Sequence, residues 1–339
     1  MSVAEATIEF RLDPRAPADA TLLGRAPLPL ATWLRGRPAD EAPERLAGLY
    51  VLCGEAHRQA ARLAIAAARG CDGANDGALA HLDVANAWER MRLIAQDWRV
   101  ARGLPVLPLD FTAWRAWRAA PDDAALRARC ADDLHRHVYT AAPTDWLARY
   151  HAGAAETSCG WWSDNLPQRL WRMPLGLTRS LRATDLPAAA ARLAADATQA
   201  SLPDLADGPV ENGPWSAFAD DEPSLATRAA AQLARLAETV TGAAPPPHAA
   251  AQRFADGSAA AWVDSARGWL LHWLRLHGDA ITDYRVLAPT EWNFHPRGGA
   301  VQAFRALASE VTASVALAAV TIAYAPCVAC RYREVDADA

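Results

Sequence analysis

Residues 311–330 read VTASVALAAVTIAYAPCVAC, an apolar run from Val311 to Tyr324 followed by two cysteines separated by two residues. The run is shorter than the roughly 20 apolar residues that a membrane-spanning helix needs, so it predicts a buried element. Cys327 and Cys330 can turn both sulfurs towards one point, which is the geometry of a disulfide or of a soft metal ion. A third cysteine, Cys53, opens the string CGEAH far away in the sequence.

The composition narrows the class of protein. A chain of 339 residues can form one large domain or two ordinary ones. Hydrophobic residues make up 52% and charged residues 22%, which argues against disorder. The net charge of -5, without a basic stripe, predicts no nucleic-acid partner. Six irregularly spaced cysteines do not make a disulfide framework, and no signal peptide or membrane anchor is recognisable. We expect a cytoplasmic protein.

Helix predominates in the predicted secondary structure, because alanine-rich segments alternate with Leu, Arg and Glu. One helix is predicted over Glu44–Arg69 and stops at Gly70; it carries Cys53 and His57 on one face. A second helix, which contains NAWERMRLIAQDW, is predicted over Gly77–Arg102. Further helices are expected at about 122–138, 143–150 and 223–241, and one beginning near Gly299 and leading towards the CVAC motif.

A smaller β component is predicted as well. Residues 6–12 suggest a short strand, and WVDSARGWLLHWLRLH and AITDYRVLA flank Gly278-Asp279 as a β-hairpin. The Pro-, Asp- and Gly-rich segment 201–224 is predicted to be a long surface loop. The predicted fold class is mainly α with a small β component, α+β.

The cysteines alone leave four alternatives open for the CVAC pair. It can be a redox dithiol, which in a thioredoxin-like protein would stand at a helix start. It can be half of a zinc site completed by Cys53 and His57. It can belong to an iron site, or the two cysteines can be inert. His57 is correspondingly a fourth ligand, a hydrogen-bond donor to a thiolate, or a helix-surface histidine.

Four separated motifs occur in the order found in the large subunit of nickel–iron hydrogenases, which the chain resembles. They are CGEAH (53–57), ARGWLLHW (266–273), YRVLAPTEWNFHP (284–296) and APCVAC (325–330). The resemblance is good over 44–70 and 264–333 and loose between them. It implies a shortened large-subunit-like domain over 1–339, with an N-terminal strand and loop (1–43), a helical body (44–242), and a hairpin and C-terminal motif segment (249–333).

Departures from the family pattern indicate a function other than hydrogen oxidation. Ala56 stands where the family has a bridging thiolate and Ala60 where it has a histidine. Ala325 replaces the aspartate of the C-terminal motif, and Arg333 replaces its histidine. With three of the four thiolates, the binuclear nickel–iron centre cannot be built in the family's way. We therefore expect no nickel and no enzymatic activity.

The iron of that centre needs few protein ligands, because it already carries two cyanides and one carbonyl. The resemblance implies that Cys53, Cys327 and Cys330 hold such an Fe(CN)2(CO) unit, with His57 as a weaker candidate. It also implies that Arg267 and Thr290 contact the cyanides.

A large-subunit-like chain with an incomplete nickel site resembles the HoxV/HupK group of hydrogenase maturation proteins. That resemblance implies a scaffold or chaperone that receives the iron unit from the HypC–HypD complex and passes it to the hydrogenase large subunit. The alternative is an interaction protein that mimics the large subunit and holds zinc or no metal. Cys71, Cys130 and Cys159 match no ligand position, and the tail EVDADA is expected to escape the proteolytic trimming of catalytic large subunits.

Overall fold

Helices predominate in the computed structural model, which describes residues 7–23, 29–71, 76–153, 166–177, 179–217 and 223–335. The helices are α1 (Leu30–Leu34), α2 (Ala42–Leu49), α3 (Gly54–Ala68), α4 (Asp76–Arg92), α5 (Trp98–Val100), α6 (Phe111–Ala119), α7 (Ala124–His137), α8 (Pro143–His151), α9 (Gln168–Arg172), α10 (Leu186–Ala195), α11 (Leu225–Thr241), α12 (Pro289–Asn293), α13 (Gly299–Ala308) and α14 (Ala313–Tyr324). The strands are β1 (Ile8–Leu12), β2 (Thr21–Leu23), β3 (Ala249–Arg253), β4 (Ala259–Ser265), β5 (Gly268–His277), β6 (Ala280–Leu287) and β7 (Cys330–Glu334). A π-helical turn, Leu93–Asp97, joins α4 to α5.

An antiparallel sheet of four strands, ordered β3-β4-β5-β6, separates two layers of the molecule. Successive side chains of a strand point to opposite faces, so each strand contributes to two cores. Ala259, Ala261 and Val263 pack against α3, whereas Ala260 and Trp262 pack against α10. The alanine-rich face of α3 allows the helix to lie close to the sheet.

The largest core lies among the helices around α11, which is buried along most of its length. Ser224 caps the start of α11, and Gly242 ends it in a left-handed conformation (φ 78°). The α14 helix packs against α11 and α13, and the apolar run of the sequence is thus largely buried, as predicted. No helix in the described ranges is long and apolar enough to cross a membrane.

A second sheet joins segments that are far apart in the sequence. Its strand order is β2-β1-β7, and β1 pairs with β7 in parallel, with Ile8 opposite Cys330 and Leu12 opposite Glu334. Glu9 in β1 also forms ion pairs with Arg331 (2.5 Å) and Arg333 (3.3 Å) in β7. The two outer segments of the predicted domain organisation therefore contact each other directly.

Most predicted elements are confirmed, including the fold class, β1, and the β5–β6 hairpin that turns at Gly278-Asp279. The single helix predicted over Glu44–Arg69 is wrong, because the chain breaks between α2 and α3 at 50–53. Gly54 permits this break, since a Cβ there would lie 2.7 Å from the carbonyl oxygen of Ala47. The last helix is likewise two, α13 and α14, and β3 and β4 were not predicted as separate strands.

The remaining predictions concern the segment 201–224, the tail and the other cysteines. Segment 201–224 is not simply a surface loop, because Glu211 and Asn212 are fully buried. Cys159 and the last four residues of the tail lie outside the described residues. Cys130 is buried as an ordinary apolar side chain would be, whereas Cys71 is exposed.

Candidate metal centre

A cavity of about 890 Å³ opens where four segments meet, and Cys53, Cys327 and Cys330 all lie in its wall. The segments are the α2–α3 connection, the π-helical turn with α5, the helix α14, and the chain from Pro326 into β7. Most of the lining is apolar, which favours soft ligands and low dielectric over a hydrated ion. The fold thus places the three cysteines that the sequence analysis selected in the wall of one cavity.

Cys53 occupies the N-cap position of α3 rather than the interior of a helix. Its backbone N–H donates to Tyr50 O (3.1 Å), which fixes the turn that precedes α3. Burial raises the pKa of the Cys53 thiol well above its ordinary value; the nearby Glu89 and Cys327 raise it further, and Arg267 opposes them. Cys53 and Cys327 are therefore close enough to interact electrostatically, and both thiols would lose protons on binding a metal.

Cys327 is positioned by the end of α14 and by the short helix α12. Ala325 ends α14 with φ 44°, and the chain turns through Pro326. The hydroxyl of Thr290, in α12, lies 3.2 Å from Cys327 Sγ and accepts a hydrogen bond from Cys327 N (3.4 Å). Thr290 is buried and, like Arg267, is not among the residues that line the cavity of the three cysteines.

Cys330 begins β7 and faces the same cavity, and its thiol donates weakly to Val328 O (4.0 Å). Because the CVAC pair follows a helix and precedes a strand, it does not have the thioredoxin-like position at a helix start. Across the described ranges, no group of three or more His, Cys, Asp or Glu side chains is already gathered as a metal site. Three-thiolate binding would require Cys330 to move towards Cys53 and Cys327.

Arg267 lies in the turn between β4 and β5, and its buried side chain reaches the cysteine pair. Its Nε donates to Ala325 O (3.0 Å), and its Nη1 donates to Glu89 (2.7 Å). Burial pulls the pKa of the guanidinium down, but the attraction of four neighbours raises it overall; these are Glu89, Cys327, Cys53 and Asp97. Gly268, which follows, has φ 124°, and a Cβ there would collide with the Asn212 side chain.

Two acidic residues next to the site were missed by the sequence analysis. Burial raises the pKa of Glu89 to about 7, although Arg267 and Arg90 lower it. Asp97, in the π-helical turn, lines the cavity; burial raises its pKa, while Arg267 lowers it. Both belong to the string NAWERMRLIAQDW, and the irregular turn that directs Asp97 inwards leaves no periodic signal in a sequence.

His57 is buried, which excludes one of its three alternatives, a helix-surface histidine. Its Nδ1 lies 2.9 Å from His272 Nε2, and His272 Nδ1 lies 2.7 Å from the hydroxyl of Tyr284. The ring of Tyr50 stacks on His57 with centroids 3.7 Å apart. His57 is not among the residues that line the cavity of the three cysteines.

Asn212 connects the start of β5, next to Arg267, with the helix α12, which carries Thr290. Its side chain accepts from Trp269 N (2.7 Å) and donates to Trp269 O (2.8 Å). Its backbone N–H donates to Asn293 Oδ1 (2.8 Å), and its backbone carbonyl accepts from Asn293 Nδ2 (2.7 Å). This buried network explains why a segment that resembles a surface loop is held in the interior.

The positions that depart from the family pattern carry no ligand atoms. Ala56 and Ala60 are fully buried, and both belong to the core between α3 and the four-stranded sheet. Arg333 points outwards, with 60% of its side chain exposed, and pairs with Glu9. Ala325 contributes only its backbone, whose carbonyl accepts from Arg267.

Comparison with known proteins shows that this fold is similar to that of nickel-dependent hydrogenases. The profile of that family, described as nickel-dependent hydrogenase, matches residues 225–332. The reduced nickel–iron–selenium hydrogenase of Desulfomicrobium baculatum is similar in structure, with a TM-score of 0.55 at 14% identity over 91% of this chain and 93% of that one. The reduced enzyme of D. vulgaris Hildenborough has a TM-score of 0.52 at 16% identity over 91% and 93%. The fold is thus that of a shortened hydrogenase large subunit.

Relatives with higher sequence identity are hydrogenase expression/formation proteins. The hydrogenase expression/formation protein HoxV of Cupriavidus necator is 32% identical over 91% of each chain. The hydrogenase expression/formation protein HupK of Bradyrhizobium diazoefficiens is 32% identical over 92% of this chain and 91% of the relative. The chain belongs to the HoxV/HupK family of hydrogenase expression/formation proteins, and its role lies in hydrogenase maturation.

Proposed function

We propose that this protein is a non-catalytic scaffold that carries the Fe(CN)2(CO) unit during assembly of a nickel–iron hydrogenase. The observation that supports this most is the shared position of Cys53, Cys327, Arg267 and Thr290, which come from four separate segments. Soft thiolates suit an iron with strong-field diatomic ligands. A cytoplasmic location is part of this proposal.

Each residue has a distinct part in the proposed binding. Cys53 and Cys327 are the first two thiolates, and Cys330 is the third, which approaches when the cargo is bound. The Nη2 of Arg267 makes no hydrogen bond with any described residue, so it can donate to a cyanide nitrogen. The hydroxyl of Thr290 lies beside Cys327 and can donate to the other cyanide.

The dimensions of the cavity suit a carrier. Its volume of about 890 Å³ gives room for an iron with three diatomic ligands. We propose that the HypC–HypD complex supplies the iron unit and that the hydrogenase large subunit receives it. Because Ala56 provides no bridging thiolate, the site is not expected to take nickel.

The test is anaerobic purification after co-expression with the maturation proteins, followed by infrared spectroscopy and metal analysis. We expect cyanide and carbonyl bands and about one iron per chain in the wild-type protein, and loss of both in the Cys327→Ser variant. Cys71→Ser, which removes an exposed thiol away from the cavity, is the matched control and should retain both.

Three results would contradict the proposal. Bands that persist in a variant lacking Cys53 and Cys327 would show that the iron is held elsewhere. Stoichiometric zinc without iron would favour the alternative, a large-subunit mimic that acts through interactions alone. Hydrogen uptake by the purified chain would show that it is an enzyme.

A further inference from the structure

One face of α4 holds the turn that carries Arg267. Asn86, Glu89 and Arg90 are spaced three and four residues apart and therefore lie on the same side of the helix. Asn86 Nδ2 donates to Asp264 O (3.0 Å), and Arg90 Nη2 donates to Ser265 O (3.3 Å). Glu89 accepts from Arg267 Nη1 (2.7 Å). The helix thus contacts the last two residues of β4 and the Arg267 side chain in the turn that follows.

The orientation of the Arg267 guanidinium follows from its fixed partners. Its Nε is held by Ala325 O and its Nη1 by Glu89. Because the guanidinium is planar and rigid, two anchored nitrogens determine the direction of the third. Arg267 also interacts electrostatically with Cys53 and Cys327, and its Nη2 makes no hydrogen bond to a described residue. Nη2 is therefore the nitrogen available to a cargo held by those thiols.

Burying the Glu89–Arg267 ion pair carries a large desolvation cost. The side chains are 5% and 7% exposed, so both charges have been removed from water. The desolvation of two buried charges usually offsets their mutual attraction, and an apolar pair often stabilises as well. A role in directing the guanidinium explains why a carboxylate is placed here.

We infer that Glu89 is a positioning residue, which aims Nη2 of Arg267 at the diatomic ligands of the iron unit from the Asn86–Arg90 face of α4. This inference rests on the proposed function. Glu89 makes no hydrogen bond to a thiol in this arrangement; its charge also acts on Cys53, but its orienting effect passes through its hydrogen bond to Arg267. The hydrogen-bond acceptor, rather than the size of the side chain, is the property that matters.

The first experiment uses the metal-free protein and measures solvent exchange of the Arg267 Nη1 protons by NMR, with Arg267→Lys identifying the resonance. In the wild type an Nη1 proton is buried and bonded to Glu89, so exchange is slow. Glu89→Met, which keeps the length and removes the acceptor, should accelerate exchange by about tenfold or more. Glu89→Gln, which keeps an acceptor oxygen, should restore slow exchange.

Asp133→Asn is the matched control for loss of a buried carboxylate. Asp133 accepts from Trp114 Nε1 (3.2 Å) and from Asp110 N (2.8 Å). Its other charged neighbours, Arg136 (3.9 Å) and His137 (3.8 Å), belong to its own helix, α7. This variant should leave the Arg267 resonance unchanged. Equal acceleration in Asp133→Asn and Glu89→Met, or none in Glu89→Met, would overturn the inference.

The second experiment records infrared bands of the loaded protein. Glu89→Met should shift the cyanide bands in the same direction as Arg267→Gln while retaining iron, and the double variant should shift them no further than Arg267→Gln. Unmoved bands in Glu89→Met would overturn the inference while leaving the proposed function intact. A wild-type protein without cyanide bands would overturn the proposed function, and the exchange experiment would then decide by itself whether Glu89 orients Arg267.

Discussion

Ala325 adopts a backbone conformation that glycine usually supplies at the end of a helix. Its φ is 44°, the only positive value among non-glycine residues in the described part of the chain. The left-handed region costs a non-glycine residue about 1–2 kcal/mol. The surroundings impose it here, because Ala325 N donates to Thr321 O (3.0 Å) and Ala325 O accepts from Arg267. The conformation turns the chain from α14 towards Cys327.

Ala325→Gly should therefore increase the free energy of unfolding by about 1 kcal/mol, since glycine adopts this conformation without strain. Urea unfolding monitored by circular dichroism would measure it. Ala329→Gly is the control, because Ala329 has no positive φ and gains nothing from the same change. Destabilisation of Ala325→Gly beyond that of the control would contradict the assignment of strain.

At the scale of elements, a chain of hydrogen bonds joins α3 to the four-stranded sheet. It runs from His57 in α3 to His272 in β5 and to Tyr284 in β6. Burial lowers the pKa of His272 to about 3, and burial together with His272 lowers the pKa of His57 well below its ordinary value. Both rings are neutral in the folded protein, so each can donate and accept one hydrogen bond.

This pairing predicts a loss of stability in acid. The unfolded chain binds a proton at His272 below about pH 6.5, whereas the folded chain does not until about pH 3, so stability falls as the pH decreases between these values. At pH 5 the loss from His272 is about 2 kcal/mol relative to neutral pH. Glu89 changes the stability in the opposite direction over this pH range, because burial raises its pKa to about 7 and folding favours its protonated form.

His272→Gln isolates the histidine contribution, since Glu89 is present in both proteins. The variant should lose less unfolding free energy between pH 7 and pH 5 than the wild type, by about 2 kcal/mol. Urea unfolding at the two pH values would measure the difference. Parallel losses in the two proteins would show that His272 does not remain neutral in the folded state.

At the scale of the whole molecule, the pairing of β1 with β7 fixes the position of the CVAC motif. Phe10 in β1 is fully buried and stacks on Phe304 in α13, with ring centroids 4.3 Å apart. Because Phe10 lies opposite Tyr332 in the parallel pair, this contact also anchors β7, which begins with Cys330. The position of a cysteine in the candidate site thus depends on an aromatic residue near the other end of the chain.

Phe10→Ala should destabilise the protein by about 3–5 kcal/mol, as expected for loss of a buried aromatic ring. Under native conditions it should also accelerate alkylation of Cys330 more than that of Cys53, because β7 loses its support. Mass spectrometry after timed alkylation would quantify both. Phe111→Ala, which removes a half-buried ring on α6, is the control; an equal increase at Cys330 there would contradict the argument.

Local patterns predicted much of the fold and the candidate residues of the site. The alanine-rich periodicity identified most helices, and the hairpin followed from Gly278-Asp279. Four separated motifs indicated the large-subunit-like fold and the three cysteines. What failed was the break between α2 and α3, since it depends on contact of Gly54 with the backbone of Ala47.

The sequence by itself determined which side chains are available to the protein: three cysteines with Arg267 and Thr290, and an alanine, Ala56, where the fourth thiolate would stand. Only the tertiary structure decided which of them meet. It brought Cys53 to Cys327, turned His57 towards His272, and buried Glu89, Glu211 and Asn212. The physical reason is that helix and strand periodicities report which face of an element is apolar, whereas the partner of a buried polar group is set by packing between distant segments.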